Sequence, residues 1–184
     1  MKNSVLDNIP AREVGKETFN VVIEIAAQSE PVKYEFDKDL GILKVDRFIA
    51  TQMRYPVNYG FVPNTLADDG DPVDVLVYTP YPLIAGSLVE CRAIGMLKME
   101  DESGGDNKVV AVATNKISPA TAQIQTVDDL PCHLKDQLAF FFKNYKALEK
   151  GKWVKVDDWQ IADAALKEIN MGIEQFEKNA STTI

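Results

Sequence analysis

The stretch DDGDPVDVLVYTPYP (residues 68–82) sets four carboxylates, Asp68, Asp69, Asp71 and Asp74, within seven positions and then runs straight into an apolar segment. Like charges at close range repel and resist burial, so such a turn needs protons or cations between its acids. Gly70 permits a tight backbone path and Pro72 fixes φ at the exit, which lets the turn aim several carboxylates at one point. Asp74 then opens a buried strand. Oxygen-only ligands select hard cations, Mg²⁺ first. A calcium loop of the EF-hand kind would need an acid at its twelfth position; counted from Asp69 that position is Pro80, and the pattern fails. Alone, the turn reads as a solvated acidic loop. A second acidic loop, EDESGGDNK (100–108), weakens that reading, because Glu100, Asp101, Glu102 and Asp106 also lie beside a strand.

Outward from the turn, the first two-thirds of the chain reads as short strands. VVIEI (21–25), VKYEF (32–36), LKVDRF (43–48), VDVLVY (73–78), LVECRAIGMLKM (88–99) and KVVAVAT (108–114) are separated by Pro and Gly. So many short strands in 184 residues predict a barrel or a sandwich. The last third is helical in spacing. Leu134, Leu138, Phe141, Tyr145 and Leu148 predict a helix over 131–149. Ile161, Ala165, Ile169, Ile173 and Phe176 predict a second over 159–178, capped by Asp157 or Asp158. Residues 1–18 form an N-terminal extension, and 179–184 read as a frayed tail.

Composition narrows the function. The net charge of −8 disfavours a general nucleic-acid binder, and an OB-type module for single strands would want a positive groove with exposed aromatics. No segment reaches the roughly 20 apolar residues of a membrane span, and the N-terminus shows no signal peptide. Cys91 and Cys132 form no CxxC and read as two buried reduced thiols, which predicts a cytoplasmic protein. His133, the single histidine, excludes a His-rich zinc site and reads as a surface or interface residue. Lys150, Lys152 and Lys155 read as solvated, and Glu24, alone, as a solvent-facing residue of its strand.

Six motifs, in order and in register, resemble the soluble family I inorganic pyrophosphatases of the bacterial type. They are the I-E of VVIEI with the K-Y-E of VKYEF, D-R-F at 46–48, Y-P-x-N-Y-G at 55–60, D-G-D-P-V-D at 69–74, D-x-x-G-x-D-x-K at 101–108, and F-F-x-x-Y-K at 141–146. The resemblance implies one α+β, mainly β domain over 1–184: an OB-like five-stranded closed barrel with two C-terminal helices. It implies Mg²⁺-dependent hydrolysis of inorganic pyrophosphate to two phosphates without a covalent intermediate. Several metal ions take part, and Mn²⁺ or other divalent ions are alternatives. By similarity Asp69, Asp74, Asp101 and Asp106 bind metal and Asp71 is the general base. Lys33, Arg47, Tyr59, Tyr145 and Lys146 bind phosphate, and Glu24, Glu35, Tyr55 and Lys108 support the site. No nucleic-acid or membrane partner is implied, and a homohexamer is. AFFFKN (139–144) lacks a histidine, so histidine-driven assembly is not expected. The matched site holds seven acids and four bases, an excess that would repel pyrophosphate unless divalent cations reverse it. The rival enzyme, a metal-dependent phosphatase for nucleotides or other phosphoesters, would need room for a nucleoside; the chain has no GxxxxGK[ST] loop.

Overall fold

The structure, a computed structural model, describes residues 5–38 and 40–182. Five strands close on themselves. β1 (Phe19–Ile25) pairs antiparallel with β4 (Asn58–Phe61), which pairs with β5 (Asp74–Tyr78). β5 runs parallel to β8 (Lys108–Ala113), β8 pairs with β6 (Leu88–Asp101), and β6 returns to β1. β2 (Val32–Asp37) and β3 (Ile42–Phe48) form a separate hairpin. The 14-residue β6 also carries β7 (Gly104–Gly105) and β9 (Val154–Gln160). Among the described residues two α-helices complete the fold, α1 (Leu134–Asn144) and α2 (Ala162–Thr182). The mainly β, OB-like fold with two C-terminal helices is borne out.

Alternation along the strands explains where the helices go. Leu76, Val110 and Val112 belong to a core cluster with Leu134, Leu138, Phe141 and Phe142 of α1. Their neighbours Val75, Val77, Val109 and Ala111 belong to a second, with Ala165 and Ile169 of α2. Both faces of β8 are therefore covered, which is why KVVAVA reads as a continuous apolar run rather than an alternating one. In the N-terminal extension, Leu6 packs with Val22 and Phe61, and Ala11 joins the second cluster.

Gly60 is a point of enforced closeness. A Cβ there would lie 2.0 Å from the Val22 carbonyl oxygen of the paired strand. Backbone in a closed ring cannot give way, so Gly60→Ala is expected to destabilise the protein by about 3 kcal/mol. A urea midpoint that drops accordingly is the check; an unchanged midpoint would contradict it.

The structure corrects several boundaries. The first helix begins at Leu134 and ends at Asn144, leaving Leu148 71% exposed beyond it. The second begins at Ala162, because Asp157, Asp158 and Trp159 lie in β9 instead of a cap and first turn. Sequence reading missed this strand because two aspartates interrupt it. Its Val154, Val156 and Trp159 pack on the core, while Asp157 pairs with Lys155 at 3.1 Å. Ile161 is exposed rather than part of the buried stripe. The helix continues through Thr182, so most of the expected frayed tail is helical; residues 183 and 184 lie outside the described residues. Only Cys91 is buried; Cys132 is exposed. His133 is an exposed residue with φ of 70° just before α1.

Candidate active site

A cavity of about 320 Å³ opens between the acidic turn, the β2–β3 hairpin, the β6–β8 connection and the end of α1. The turn is built by its own backbone. The Asp71 N–H donates to Asp69 Oδ1 at 3.0 Å, and the Ala67 N–H donates to the Asp71 carbonyl at 2.7 Å. Gly70, at φ 90°, takes the left-handed conformation this path requires. Asp69, Asp71 and Asp74 all line the cavity, while Asp68 lies outside it and accepts a hydrogen bond from Gln175 at 3.3 Å.

The second acidic loop meets the first. Asp101 and Asp106 are buried and line the same cavity. Asp101 accepts the Lys146 ammonium at 2.7 Å and the Ser103 N–H at 2.8 Å. Lys108, only 3% exposed, pairs with both Asp74 and Asp106 and so ties the loops together. Lys33 and Arg47 are opposite one another in the hairpin register, and both line the cavity. Glu35 pairs with Lys33 at the rim.

Three tyrosines form a stack with α1. Tyr145 lies over Phe141 with centroids 5.1 Å apart, and Tyr55 sits 5.0 Å from Tyr59 and 4.6 Å from Phe141. Tyr59 and Tyr145 reach the cavity; Tyr55 does not line it and backs the other two. Burial pushes the pKa of Tyr59 and Tyr145 up, so both hydroxyls stay protonated and can donate to an anion.

Glu24 is buried, not solvent-facing, and its carboxylate accepts the Phe36 N–H at 2.6 Å. Burial, only partly countered by that hydrogen bond, raises its pKa from 4.5 to about 8. A raised folded value means the folded state binds the proton more tightly. The stability it confers is full below the unfolded pKa and is lost as pH rises towards 8. In metal-free protein, Glu24→Gln is expected to remove a fall of up to roughly 1.4 kcal/mol per pH unit in this window. Urea unfolding at several pH values reads it, and equal slopes in both proteins would contradict the assignment.

The comparisons with known proteins fit this arrangement. The inorganic pyrophosphatase family model matches residues 21–177. The chain belongs to the inorganic pyrophosphatase family. It is 58% identical over 169 residues to an inorganic pyrophosphatase of Ralstonia nicotianae, covering 92% of this chain and 96% of that one. It is 54% identical to that of Pseudomonas aeruginosa, covering 92% and 97%. Among solved structures, the Coxiella burnetii inorganic pyrophosphatase superposes with a TM-score of 0.85 at 52% identity, covering 90% of this chain and 99% of that one. The Thermus thermophilus enzyme gives 0.87 at 44%, covering 94% and 98%.

Pyrophosphatases of this family depend on divalent metal, and the donor set here suits one. Asp69, Asp71, Asp74, Asp101 and Asp106 offer only oxygen, the preference of hard cations. Among the described residues no three acids converge on a single point, and the ammonium groups of Lys108 and Lys146 lie against three of them.

Three charged residues that line the cavity, Lys38, Glu102 and Lys152, are not among the site residues expected from the sequence. Lys152 pairs with Glu102, whose carboxyl burial would raise; the Lys152 hydrogen bond and backbone N–H groups hold it down at about 2. The signal was present in Glu102, next to Asp101 in the acidic loop. Nothing local separates Lys152 from the solvated Lys150 and Lys155. The lining then counts eight acids and six bases, a smaller excess than the matched motifs alone gave. With burial raising the Glu24 pKa to about 8, its carboxyl is mostly protonated at neutral pH and the excess shrinks further.

Proposed function

We propose that this cavity is the site at which the chain hydrolyses inorganic pyrophosphate to two phosphates, with Mg²⁺ as its metal. The observation that carries the reading is the meeting of two acidic loops with Lys33, Arg47 and Lys146 around one cavity. Asp69, Asp74, Asp101 and Asp106 would hold the metal ions. Bound Mg²⁺ supplies Lewis acidity to phosphoryl oxygens and lowers the pKa of a water.

The chain's own residues do the rest. Lys33, Arg47 and Lys146 hold phosphate oxygens and offset the charge that builds on the transferred and leaving groups. Tyr59 and Tyr145 donate hydroxyl protons to the same oxygens. Asp71 takes the proton of the attacking water. In the metal-free protein, its partial enclosure at the cavity rim first, then the charges of Asp69 and Asp74, raise its pKa. Attack is in line, with no covalent intermediate. Lys108 keeps Asp74 and Asp106 apart and aimed, and Glu24, Glu35 and Tyr55 support the cavity wall.

The same reading takes the chain to act as one domain, in the cytoplasm, as a homohexamer. Among the described residues no helix is long and apolar enough to cross a membrane. The nucleotide phosphatase is not favoured, since the chain matches pyrophosphatases over most of its length. Phosphate release from pyrophosphate, ATP and p-nitrophenyl phosphate, each with Mg²⁺, tests the choice. Release from pyrophosphate far above the other two is expected. Comparable rates on ATP would overturn the reading.

A further inference from the structure

Glu149 does not line the cavity, yet it holds a residue that does. The Arg47 Nε donates to Glu149 Oε1 at 3.2 Å, and its Nη1 donates to Asp46 Oδ2 at 2.6 Å. Neither carboxylate lines the cavity. Together they hold the guanidinium at Nε and Nη1, and among the described residues its Nη2 makes no hydrogen bond. Asp46 alone is a weak fixture, because it is 3.6 Å from Lys33 and shared between two cations.

Glu149 itself is well anchored. Its N–H donates to the Lys146 carbonyl at 2.9 Å, and the Lys152 N–H donates to its own carbonyl at 3.3 Å. The lysines at either side are tied to Asp101 and Glu102, and the Thr51 hydroxyl holds the Tyr145 carbonyl at 3.1 Å. A free arginine loses rotamer freedom when it binds phosphate, and one already held does not. We propose that Glu149 is a positioning residue whose carboxylate fixes the Arg47 guanidinium from behind, so that its Nη2 side is presented to the substrate phosphate. This rests on the reading of Arg47 as a phosphate ligand.

Steady-state kinetics with Mg²⁺ and pyrophosphate on Glu149→Gln, Arg47→Met and the double variant test it, with a thermal melt for each. Glu149→Gln is expected to raise KM about 3- to 10-fold, the cost of ordering one long side chain, with a smaller change in kcat and an intact melt. Glu149→Asp, which keeps the charge, should fall between wild type and Glu149→Gln. In the Arg47→Met background the Glu149→Gln effect on KM should vanish. If Arg47→Met leaves KM unchanged, the reading of Arg47 fails and the inference with it. If Arg47→Met raises KM but Glu149→Gln does not, only the positioning role is overturned. An equal Glu149→Gln effect in both backgrounds would overturn it too.

Discussion

Asp71→Asn is expected to lower kcat by about 100-fold or more while the protein keeps its fold. The substitution preserves shape and removes the basic oxygen, and general-base catalysis contributes roughly 10²–10⁴-fold. Asp71 is exposed at the cavity rim, so the change leaves no buried group unpaired. Its N–H bond to Asp69 comes from the backbone and survives. The pH profile separates a base from a mere ligand. A base must be deprotonated to act, so wild-type kcat should fall as pH drops through the Asp71 pKa of the metal-loaded enzyme, and the variant should lack this limb. A kcat within a few-fold of wild type would remove Asp71 from the role of base.

Lys108→Met is expected to cost about 3–5 kcal/mol of stability in metal-free protein. Methionine fills similar space but leaves Asp74 and Asp106 facing each other without the ammonium between them. Burial already raises the Asp106 pKa, with Asp74 adding to it and Lys108 opposing it; without Lys108 the value rises further. A raised folded pKa gives stability at low pH that is lost as pH rises, so the deficit should be larger at pH 8 than at pH 4. Urea unfolding at both pH values, with chelator, reads this. Adding Mg²⁺ should recover part of the loss, since cations can take the place of the ammonium. An unchanged midpoint would mean that Lys108 does not bind the two loops together.

Much of this was legible in the residues. Strands that alternate, such as VKYEF, or that run apolar between turn residues, such as KVVAVA, announce themselves by period and composition. The acidic turn stood out because Asp69, Gly70, Asp71 and Pro72 combine charge with a backbone that cannot do anything but turn. Other features depend on partners distant in sequence. β9 contains Asp157 and Asp158 and becomes a strand only because β6 offers its edge there. Glu24 reads as a solvent-facing residue until the hairpin brings the Phe36 N–H to it. Lys152 belongs to the cavity because the β6 loop places Glu102 beside it. The charge count also depended on the fold, since Lys38 and Lys152 reduce the excess that the motifs alone displayed.

The most direct test of the account is phosphate release from pyrophosphate during a Mg²⁺ titration that starts in chelator. Two acidic loops around one cavity predict no release without metal and a steep rise as Mg²⁺ is added. Full-rate hydrolysis in chelator, or none with Mg²⁺ and folded protein, would contradict it.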